Sequence, residues 1–144
     1  MLDAVKDIVA YCRTRSDDVE FCALDATRAQ ADYLSQIISC ALEAGANSVC
    51  ICDTAAVMTP DAFARFIADI PALDGVFVKV SVSNALGLSA ACALSALEAG
   101  AQGVKTCLFG EDATDIRTLC RIIGTFGQDK DLFTSLRVTE LERA

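Results

Sequence analysis

The hexapeptide Ala41-Leu-Glu-Ala-Gly-Ala46 occurs twice in the chain, because the same six residues return as Ala96-Leu-Glu-Ala-Gly-Ala101. Each copy ends a helical pattern with a glycine, a residue that readily takes the left-handed conformation closing many helices. Two residues further on, each copy is followed by an apolar, partly β-branched run, at Val49–Cys52 and at Val104–Leu108. A repeated helix–turn–strand unit is typical of alternating α/β folds.

Two more strands and several helices extend this pattern along the chain. The additional strands are predicted at 19–23 and 76–80, so that successive strands start about 28 residues apart. Helices are predicted at 2–13, 27–44, from Thr59-Pro60-Asp61 onward, 86–99, about 114–124 and 131–143. Thr27 with Gln30 has the form of a capping box, and Gly124 and Gly127 are expected to separate the last two helices. This alternation implies a parallel sheet with right-handed crossovers.

The 144 residues fit a single domain over 1–144. The predicted fold class is α/β, with about four parallel strands and alternating helices. The sheet is either half of a TIM-type (β/α)8 barrel or a small open doubly wound sheet. A whole barrel at this spacing requires roughly 200 to 250 residues. An unclosed sheet of this kind is expected to leave two unpaired edges and one uncovered apolar face.

Composition excludes several classes of partner and chemistry. The net charge is −8, from 12 Lys and Arg against 20 Asp and Glu, which argues against nucleic acid and anionic membranes. No apolar run reaches the ~18 residues of a membrane span, and the N-terminus lacks the features of a signal peptide. Histidine is absent, which removes the commonest general base and metal ligand. A cytoplasmic location is expected.

The eight cysteines are scattered through apolar stretches without a CxxC pair, so we expect buried thiols in a reducing compartment. Cys50 and Cys52 lie two apart on a predicted strand and therefore share a face. If side chains alternate between the inside and the outside as in a barrel, Thr54, Ser81 and Ser83 face the same interior as Cys52. Strand-end thiols that point inward can form a soft-metal site, or they can simply fill space. The thiols in question are Cys22, Cys52 and Cys107.

Four motifs at the predicted strand ends carry a family resemblance. They are Val19-Glu-Phe-Cys-Ala-Leu-Asp-Ala-Thr-Arg28, Cys52-Asp-Thr-Ala-Ala-Val-Met-Thr-Pro60, Val80-Ser-Val-Ser-Asn-Ala-Leu-Gly-Leu88 and Gly100-Ala-Gln-Gly-Val104. In this order they resemble VEFSxEDATR, PDTVGxxTP, VHxHNDLGL and GAxxV of the isopropylmalate synthase, homocitrate synthase and hydroxymethylglutaryl-CoA lyase superfamily. The segment 131–137 is similar to the helix that closes the family's barrel.

The resemblance implies the C-terminal half of a metal-dependent TIM barrel, starting at its fourth strand. The family joins an acyl-CoA to a 2-oxo acid, or cleaves the reverse. Its divalent metal lies at the C-terminal mouth of the barrel, bound by the two histidines of the HxH pair and by an Asp on the first strand. By resemblance, the candidate ligand contacts in this chain are Asp25, Arg28, Thr54 and Asn84.

The departures from the family pattern affect its chemistry. The two metal-binding histidines are replaced by Ser81 and Ser83, and a neutral hydroxyl is a poor ligand for a transition metal. Leu24 stands where the family has Glu, and Ala85 where it has Asp. No metal is therefore expected, and Mn, Mg or Zn would bind only at a rebuilt site. The sequence assigns no catalytic residue.

Three functional hypotheses follow from the resemblance and its departures. The first is a divergent, non-catalytic homologue of the acyl-CoA/2-oxo acid synthases, a pseudoenzyme acting as a subunit or ligand-binding module. The second is a fragment or subunit of an active synthase or lyase that a partner chain completes. The third is a structural assembly protein. The expected partner is a second copy of the chain or a complementing barrel subunit.

Overall fold

A computed structural model describes residues 1–141. The helices are α1 (Leu2–Arg13), α2 (Ala31–Glu43), α3 (Pro60–Ala68), α4 (Ser89–Glu98), α5 (Ile116–Phe126) and α6 (Val138–Leu141). The strands are β1 (Glu20–Ala23), β2 (Ser48–Asp53), β3 (Phe77–Val82), β4 (Gly103–Val104), β5 (Thr106–Cys107) and β6 (Thr114–Asp115). In this described part of the chain, no helix has the length and apolar character that crossing a membrane requires.

The main sheet has four parallel strands in the order β1-β2-β3-β4, which is also their order in the chain. This confirms the predicted α/β class and its parallel sheet. Strands that follow one another without a reversal form a segment of a barrel, whereas a doubly wound sheet reverses its strand order at a switch point. The register places Cys50 beside both Cys22 and Lys79, and Cys52 beside Ser81.

One face of the sheet is buried beneath helices α2, α3 and α4. Alternate strand residues point to this side because side chains along a strand change face at every step. They pack against helix residues that include Ile38, Phe63 and Cys92. The strand residues in this core are Ala23, Val49, Ile51, Val78, Val80 and Val82. Helix α1 packs outside α2, where Val9 joins a smaller apolar cluster with Ala41.

The opposite face, which we call the inner face, differs from the sequence expectation. An uncovered apolar face was expected, but the inner face carries polar and thiol side chains. They are Glu20, Cys22, Cys50, Cys52, Lys79 and Ser81. The physical reason is the same alternation, because the buried valines and isoleucine of the strands turn toward the helices, whereas Phe77 lies on the inner face at the start of β3 and is half exposed.

Two helix starts show how local signals compete with tertiary contacts. Helix α3 begins at Pro60 after Thr59, as predicted. Helix α2 was predicted from residue 27 but begins at Ala31, and the Thr27–Gln30 capping box is wrong. The Thr27 hydroxyl instead donates to the Asp53 carboxylate at 2.7 Å, and a short 3₁₀ turn occupies Ala26–Arg28.

The C-terminal part departs most from the prediction. The predicted strand 104–108 divides into β4, which pairs with β3, and β5, which pairs with β6. Helix α5 begins at Ile116 after β6 and continues through Gly124, so this glycine does not break it. The helix predicted over 131–143 is wrong for 131–137, because left-handed Asp131 ends a 3₁₀ turn and α6 begins only at Val138. Positions 142 and 143 lie outside the described residues.

Candidate ligand site at the carboxyl end of the sheet

A cavity of about 360 Å³ lies where strands β1, β2 and β3 end. It brings together Cys52, Thr54, Ser81 and Ser83, the four side chains that strand parity placed on one interior face. Leu24, Val82, Asp112 and Ala113 complete its lining. Of these described lining residues, none carries a positive charge. We call this cavity the mouth; it offers hydroxyl and thiol groups with one carboxylate.

The two serines of the mouth do not form a metal site of the kind that the resemblance implies. The hydroxyl of Ser83 accepts the backbone N–H of Ala85 at 3.4 Å, and its own N–H donates to the carbonyl of Asp53 at 3.0 Å. Ser81 lies beside Cys52 in the sheet register. Neutral hydroxyls bind transition metals poorly, and the chain has no histidine to replace them. The donors present therefore do not fit the family's divalent metal.

Asp25 and Arg28 lie beside the mouth, next to its lining residue Thr54. Arg28 Nε donates to both carboxylate oxygens of Asp25, at 2.8 and 3.0 Å. Hydrogen bonds from Arg28 hold the pKa of Asp25 below its usual value. The hydroxyl of Thr54 accepts the backbone N–H of Asp25 at 3.1 Å. The only cation among these candidate contacts is therefore already engaged by a neighbouring carboxylate.

Asn84 hydrogen-bonds to the segment that precedes β6 and to the start of α4. Its Nδ2 donates to the carbonyl of Gly110 at 2.7 Å, and its Oδ1 accepts the hydroxyl of Ser89 at 2.7 Å. The Asn84 backbone N–H donates to the carbonyl of Asp112 at 3.2 Å. The amide nitrogen and the backbone N–H thus hold the β3–α4 loop against the segment that precedes β6, and the amide oxygen holds the start of α4. Asn84 is not among the residues that line the mouth.

Asp53 organises the loop between β2 and α3 from a fully buried position. Its carboxylate accepts the Thr27 hydroxyl at 2.7 Å and the backbone N–H groups of Val57 and Met58 at 3.2 and 3.3 Å. These bonds are satisfied inside the protein, as buried polar groups require. The acid of the Cys52–Pro60 motif therefore supports the loop that borders the mouth and does not line the mouth itself.

A second polar group on the inner face was not among the predicted site residues. Lys79 Nζ lies 2.7 Å from Glu20 Oε2, and Lys105 Nζ lies 2.5 Å from Glu20 Oε1. The Cys22 thiol lies 3.2 Å from Glu20 and 3.1 Å from Lys105. We call Glu20, Cys22, Cys50, Lys79 and Lys105 the basal cluster, because it precedes the mouth along the strands. The only sequence signal was the alternation that places Glu20 with Cys22 and Lys79 on one face.

Electrostatics explains the protonation states in the basal cluster. Burial disfavours ionised Glu20, but hydrogen bonds from Lys105, Lys79 and Cys22 outweigh burial and lower the pKa of Glu20 to about 2. The same carboxylate raises the pKa of Lys105. Burial raises the pKa of the Cys22 thiol. Cys50 and Cys52 lie 3.8 Å apart, and their hydrogen bond raises the pKa of Cys50. Cys22 and Cys50, whose pKa values are both raised, are therefore protonated at neutral pH in the metal-free chain.

The inward thiol prediction is only partly reproduced by the structure. Cys52 lines the mouth, whereas Cys22 lies in the basal cluster. Cys107 contacts the carbonyl of Ala113 at 3.6 Å and is not a lining residue of the mouth. A single thiol site made from Cys52, Ser81, Ser83 and Cys107 is therefore not assembled. The reason is that Cys107 belongs to β5, which pairs with β6 instead of continuing β4.

A larger cavity of about 690 Å³ lies at the opposite end of β3. It is bordered mainly by apolar residues and backbone, including Ile70, Val76 and Gly100. Its polar side chains are those of Asp74 and Gln102, and Gln102 Oε1 already accepts the N–H of Val78 at 2.7 Å. This cavity has few polar side chains that could bind a ligand, so the mouth is the better candidate site despite its smaller volume.

The fold of the chain is that of part of a TIM barrel, as the comparison with solved structures shows. Solved structures with the same arrangement include the carboxyl transferase domain of Rhizobium etli pyruvate carboxylase, at a TM-score of 0.67 and 16% identity. The superposition covers 88% of this chain and 22% of that one. A structure of the same domain with pyruvate gives a TM-score of 0.67 at the same coverage. The chain therefore has the fold of part of a carboxyltransferase-type TIM barrel.

The chain belongs to the HMGL-like family, whose model matches residues 1–115. A 2-isopropylmalate synthase of Pelotomaculum thermopropionicum is 32% identical over 151 residues, covering 99% of this chain and 30% of that enzyme. One of Prochlorococcus marinus is 36% identical over 114 residues, covering 76% of this chain and 21% of the enzyme. The chain thus spans about a third or less of the curated relatives it matches.

The comparisons support the predicted superfamily but not the prediction that the chain is its C-terminal half. The matched region is the N-terminal part of this chain and ends at Asp115. Helices α5 and α6 follow that boundary, so the family model does not cover the tail segment 131–137 that was expected to resemble the closing helix of the barrel. The superfamily itself was correctly predicted from the strand-end motifs.

Proposed function

We propose that the chain is a non-catalytic member of the HMGL-like family that acts as a subunit with a second barrel-forming chain. The observation that carries this proposal is the mouth, where Ser81 and Ser83 stand in place of two metal-binding histidines. One of these hydroxyls is used by the Ala85 backbone. The synthase names belong to the relatives, and the synthase reaction is not assigned to this chain.

The remaining residues near the mouth support the same proposal. Arg28 is paired with Asp25, and Asn84 is held by Gly110 and Ser89. A 2-oxo acid carries a negative charge, yet no positive charge lines the mouth among the described residues. A bound 2-oxo acid would find only hydroxyl and thiol donors among the side chains of the mouth, and it would lack the metal that polarises its carbonyl.

The sheet supports the role as a subunit. In the described part of the chain, β1 and β4 are the outer strands, and each leaves one edge without a partner strand. Unpaired edges favour association with further strands. A second copy, or a separate chain carrying complementary strands, would cover these edges and the inner face. Eight free thiols are in keeping with a reducing cytoplasm, which we propose as the location.

The proposal is tested by Mn²⁺ binding and by activity with the same preparation. Electron paramagnetic resonance of Mn²⁺ titrated with the purified chain is expected to show free Mn²⁺ only, because Mn²⁺ prefers oxygen and imidazole ligands. Acetyl-CoA with a panel of 2-oxo acids is expected to release no CoA. One tightly bound Mn²⁺, or CoA release that depends on Mn²⁺ or Mg²⁺, would overturn the proposal.

A matched variant shows that the assay can detect a mouth metal. The double substitution Ser81→His and Ser83→His places two imidazoles two residues apart at the end of β3, the spacing that chelates a metal. Measurable Mn²⁺ binding by this variant, and none by the parent chain, is the expected pair of results. Light scattering of the parent chain over a range of concentrations tests the subunit role, which a strict monomer with no copurifying partner would contradict.

A further inference from the structure

The basal cluster has a composition that the proposed function does not use. The carboxylate of Glu20 and the thiols of Cys22 and Cys50 place their ligand atoms within 4.8 Å of one another. Cys22 and Cys50 are direct neighbours on adjacent parallel strands, and Glu20 lies two residues before Cys22 on the same face. Three ligand-type side chains are therefore fixed by sheet geometry rather than by loops.

We propose that Glu20, Cys22 and Cys50 form a binding site for a soft divalent cation, with zinc as the best fit. Thiolates select zinc over magnesium, calcium and manganese. Zinc also accepts a carboxylate oxygen beside sulfur ligands, in tetrahedral geometry. This site is distinct from the family position at the mouth, because Cys50 precedes Cys52 and Ser81 in the sheet.

Distances in the cluster agree with such a centre. With zinc–sulfur bonds of about 2.3 Å, two sulfur ligands of a tetrahedral zinc lie about 3.8 Å apart. Cys50 Sγ and Cys52 Sγ are 3.8 Å apart, so Cys52 is within reach as a fourth donor from the same strand. The Cys22 thiol and Glu20 Oε1 are 3.2 Å apart, close to the sulfur–oxygen separation about one zinc ion.

A cation bound by thiolates leaves the net charge of the cluster unchanged. In the metal-free chain, two lysines face one carboxylate and neutral thiols, so the cluster has one more positive than negative charge. Binding of M²⁺ converts Cys22 and Cys50 to thiolates and releases two protons, so the two added positive charges are matched by two negative ones. Lys105, 3.1 Å from the Cys22 sulfur, then donates to a thiolate and stabilises it. Lys79 remains paired with the second oxygen of Glu20.

Cobalt(II) titration of the full chain under reducing, metal-free conditions tests the site. Co²⁺ replaces zinc in tetrahedral sites, and its thiolate complexes give a strong charge-transfer band in the near ultraviolet. The expected result is one Co²⁺ per chain with that band, displaced by one equivalent of Zn²⁺. Calorimetry of Zn²⁺ binding in two buffers is expected to report about two protons released per metal.

Variants identify the ligands and control for misfolding. Cys22 is only half-buried, so Cys22→Ser is expected to keep the fold. It is expected to weaken Co²⁺ binding at least about tenfold, because the loss of a group that merely hydrogen-bonds to a metal ligand already weakens binding by that factor. Cys50→Ala gives the same test at the buried position, with circular dichroism as the folding check. Cys107→Ser is the matched control and is expected to bind Co²⁺ like the parent chain.

The proposal is overturned by the absence of the charge-transfer band in the parent chain, or by an unchanged band in a folded Cys22→Ser variant. Loss of the band in Cys107→Ser would also overturn it. These outcomes are independent of the Mn²⁺ experiment, because Mn²⁺ reports on the mouth and Co²⁺ on thiolates. The proposed function is therefore judged by the Mn²⁺ result and the zinc site by the Co²⁺ result, and either can fail without the other.

Discussion

The two faces of the four-stranded sheet are built from alternate residues of the same strands, but different forces hold them. On the helix-covered face, Val49, Val80 and Val82 pack against α2, α3 and α4. On the inner face, Glu20 contacts Lys79 and Lys105, and thiols and hydroxyls follow it toward the mouth. Burial of apolar area stabilises the first face, whereas charge-assisted hydrogen bonds organise the second.

This difference separates the face that stabilises the fold from the face that carries polar and thiol groups. The helix-covered face needs only apolar side chains of suitable volume, which many sequences supply. Ser81 lies on the inner face, and Ser83 lines the mouth with it. A change of side chain at either position leaves the packed face unaltered, so the fold does not depend on which groups stand there.

The largest effect is expected from removing a side chain of the packed face. Phe63 on α3 is fully buried, and Phe63→Ala is expected to lower the free energy of unfolding by about 4 kcal/mol, through lost burial and the cavity left behind. Phe77→Ala is the control, because Phe77 begins β3 with about half of its surface exposed. Urea denaturation of both variants measures the contrast, and equal losses would mean that the inner side of β3 is also covered.

Asp53 carries the next largest effect, because it joins the packed face to the mouth. Asp53→Ala leaves the Thr27 hydroxyl and two backbone N–H groups without their acceptor, which is expected to cost about 3 kcal/mol. Asp53→Asn keeps one acceptor oxygen and is expected to cost less. Asp74→Ala, at an exposed position, is the control in the same urea experiment. A loss no greater than that of the control would show that the loop does not depend on the carboxylate.

Glu20 is expected to give the inner face a stability that depends on pH. Its pKa is lowered from 4.5 to about 2 in the folded chain. A carboxylate with a depressed pKa stabilises the fold above its unfolded pKa, and this contribution is lost as pH falls from about 4.5 toward 2. Discounted for the solvent exposure of Lys105, the effect is about 2 kcal/mol.

The pH profile of the Glu20→Gln variant tests that contribution. Unfolding free energies of the parent chain and the variant, measured from pH 6 to pH 2, are expected to converge as the pH falls, since the parent chain alone loses the Glu20 term. The same loss in both chains would assign the acid sensitivity to other carboxylates. The variant leaves Phe63 and the packed face unchanged, so it tests the inner face alone.

The sequence predicted the packed face well because its signals are local and repetitive. The two copies of the hexapeptide preceded β2 and β4, and Thr59-Pro60 marked the start of α3, as the structure confirms. The start of α2 was missed because the buried carboxylate of Asp53 takes the Thr27 hydroxyl away from its capping role. A local sequence pattern cannot predict that Thr27 bonds to Asp53, which lies 26 residues away in the chain.

The candidate site was predictable only as far as strand parity reaches. Alternation correctly put Cys52, Thr54, Ser81 and Ser83 around one cavity. Alternation could not show that β4 ends at Val104 and that Cys107 therefore belongs to β5, which pairs with β6. Nor could it show that Lys105 reaches across to Glu20 and Cys22, because that contact depends on the order of the strands in space.

The smallest effect is expected at Arg28, beside the mouth. Its ion pair with Asp25 is exposed to water, and exposed pairs contribute little because solvent screens their attraction and ordering two side chains costs entropy. Arg28→Ala is therefore expected to leave the midpoint of urea denaturation unchanged within error, although the pair holds the pKa of Asp25 down. A clear drop in the midpoint would show that the left-handed turn at Asp25 depends on Arg28. The shape of the mouth would then depend in part on a surface ion pair, and exposed ion pairs would have to be counted with the buried apolar side chains among the interactions that stabilise the fold.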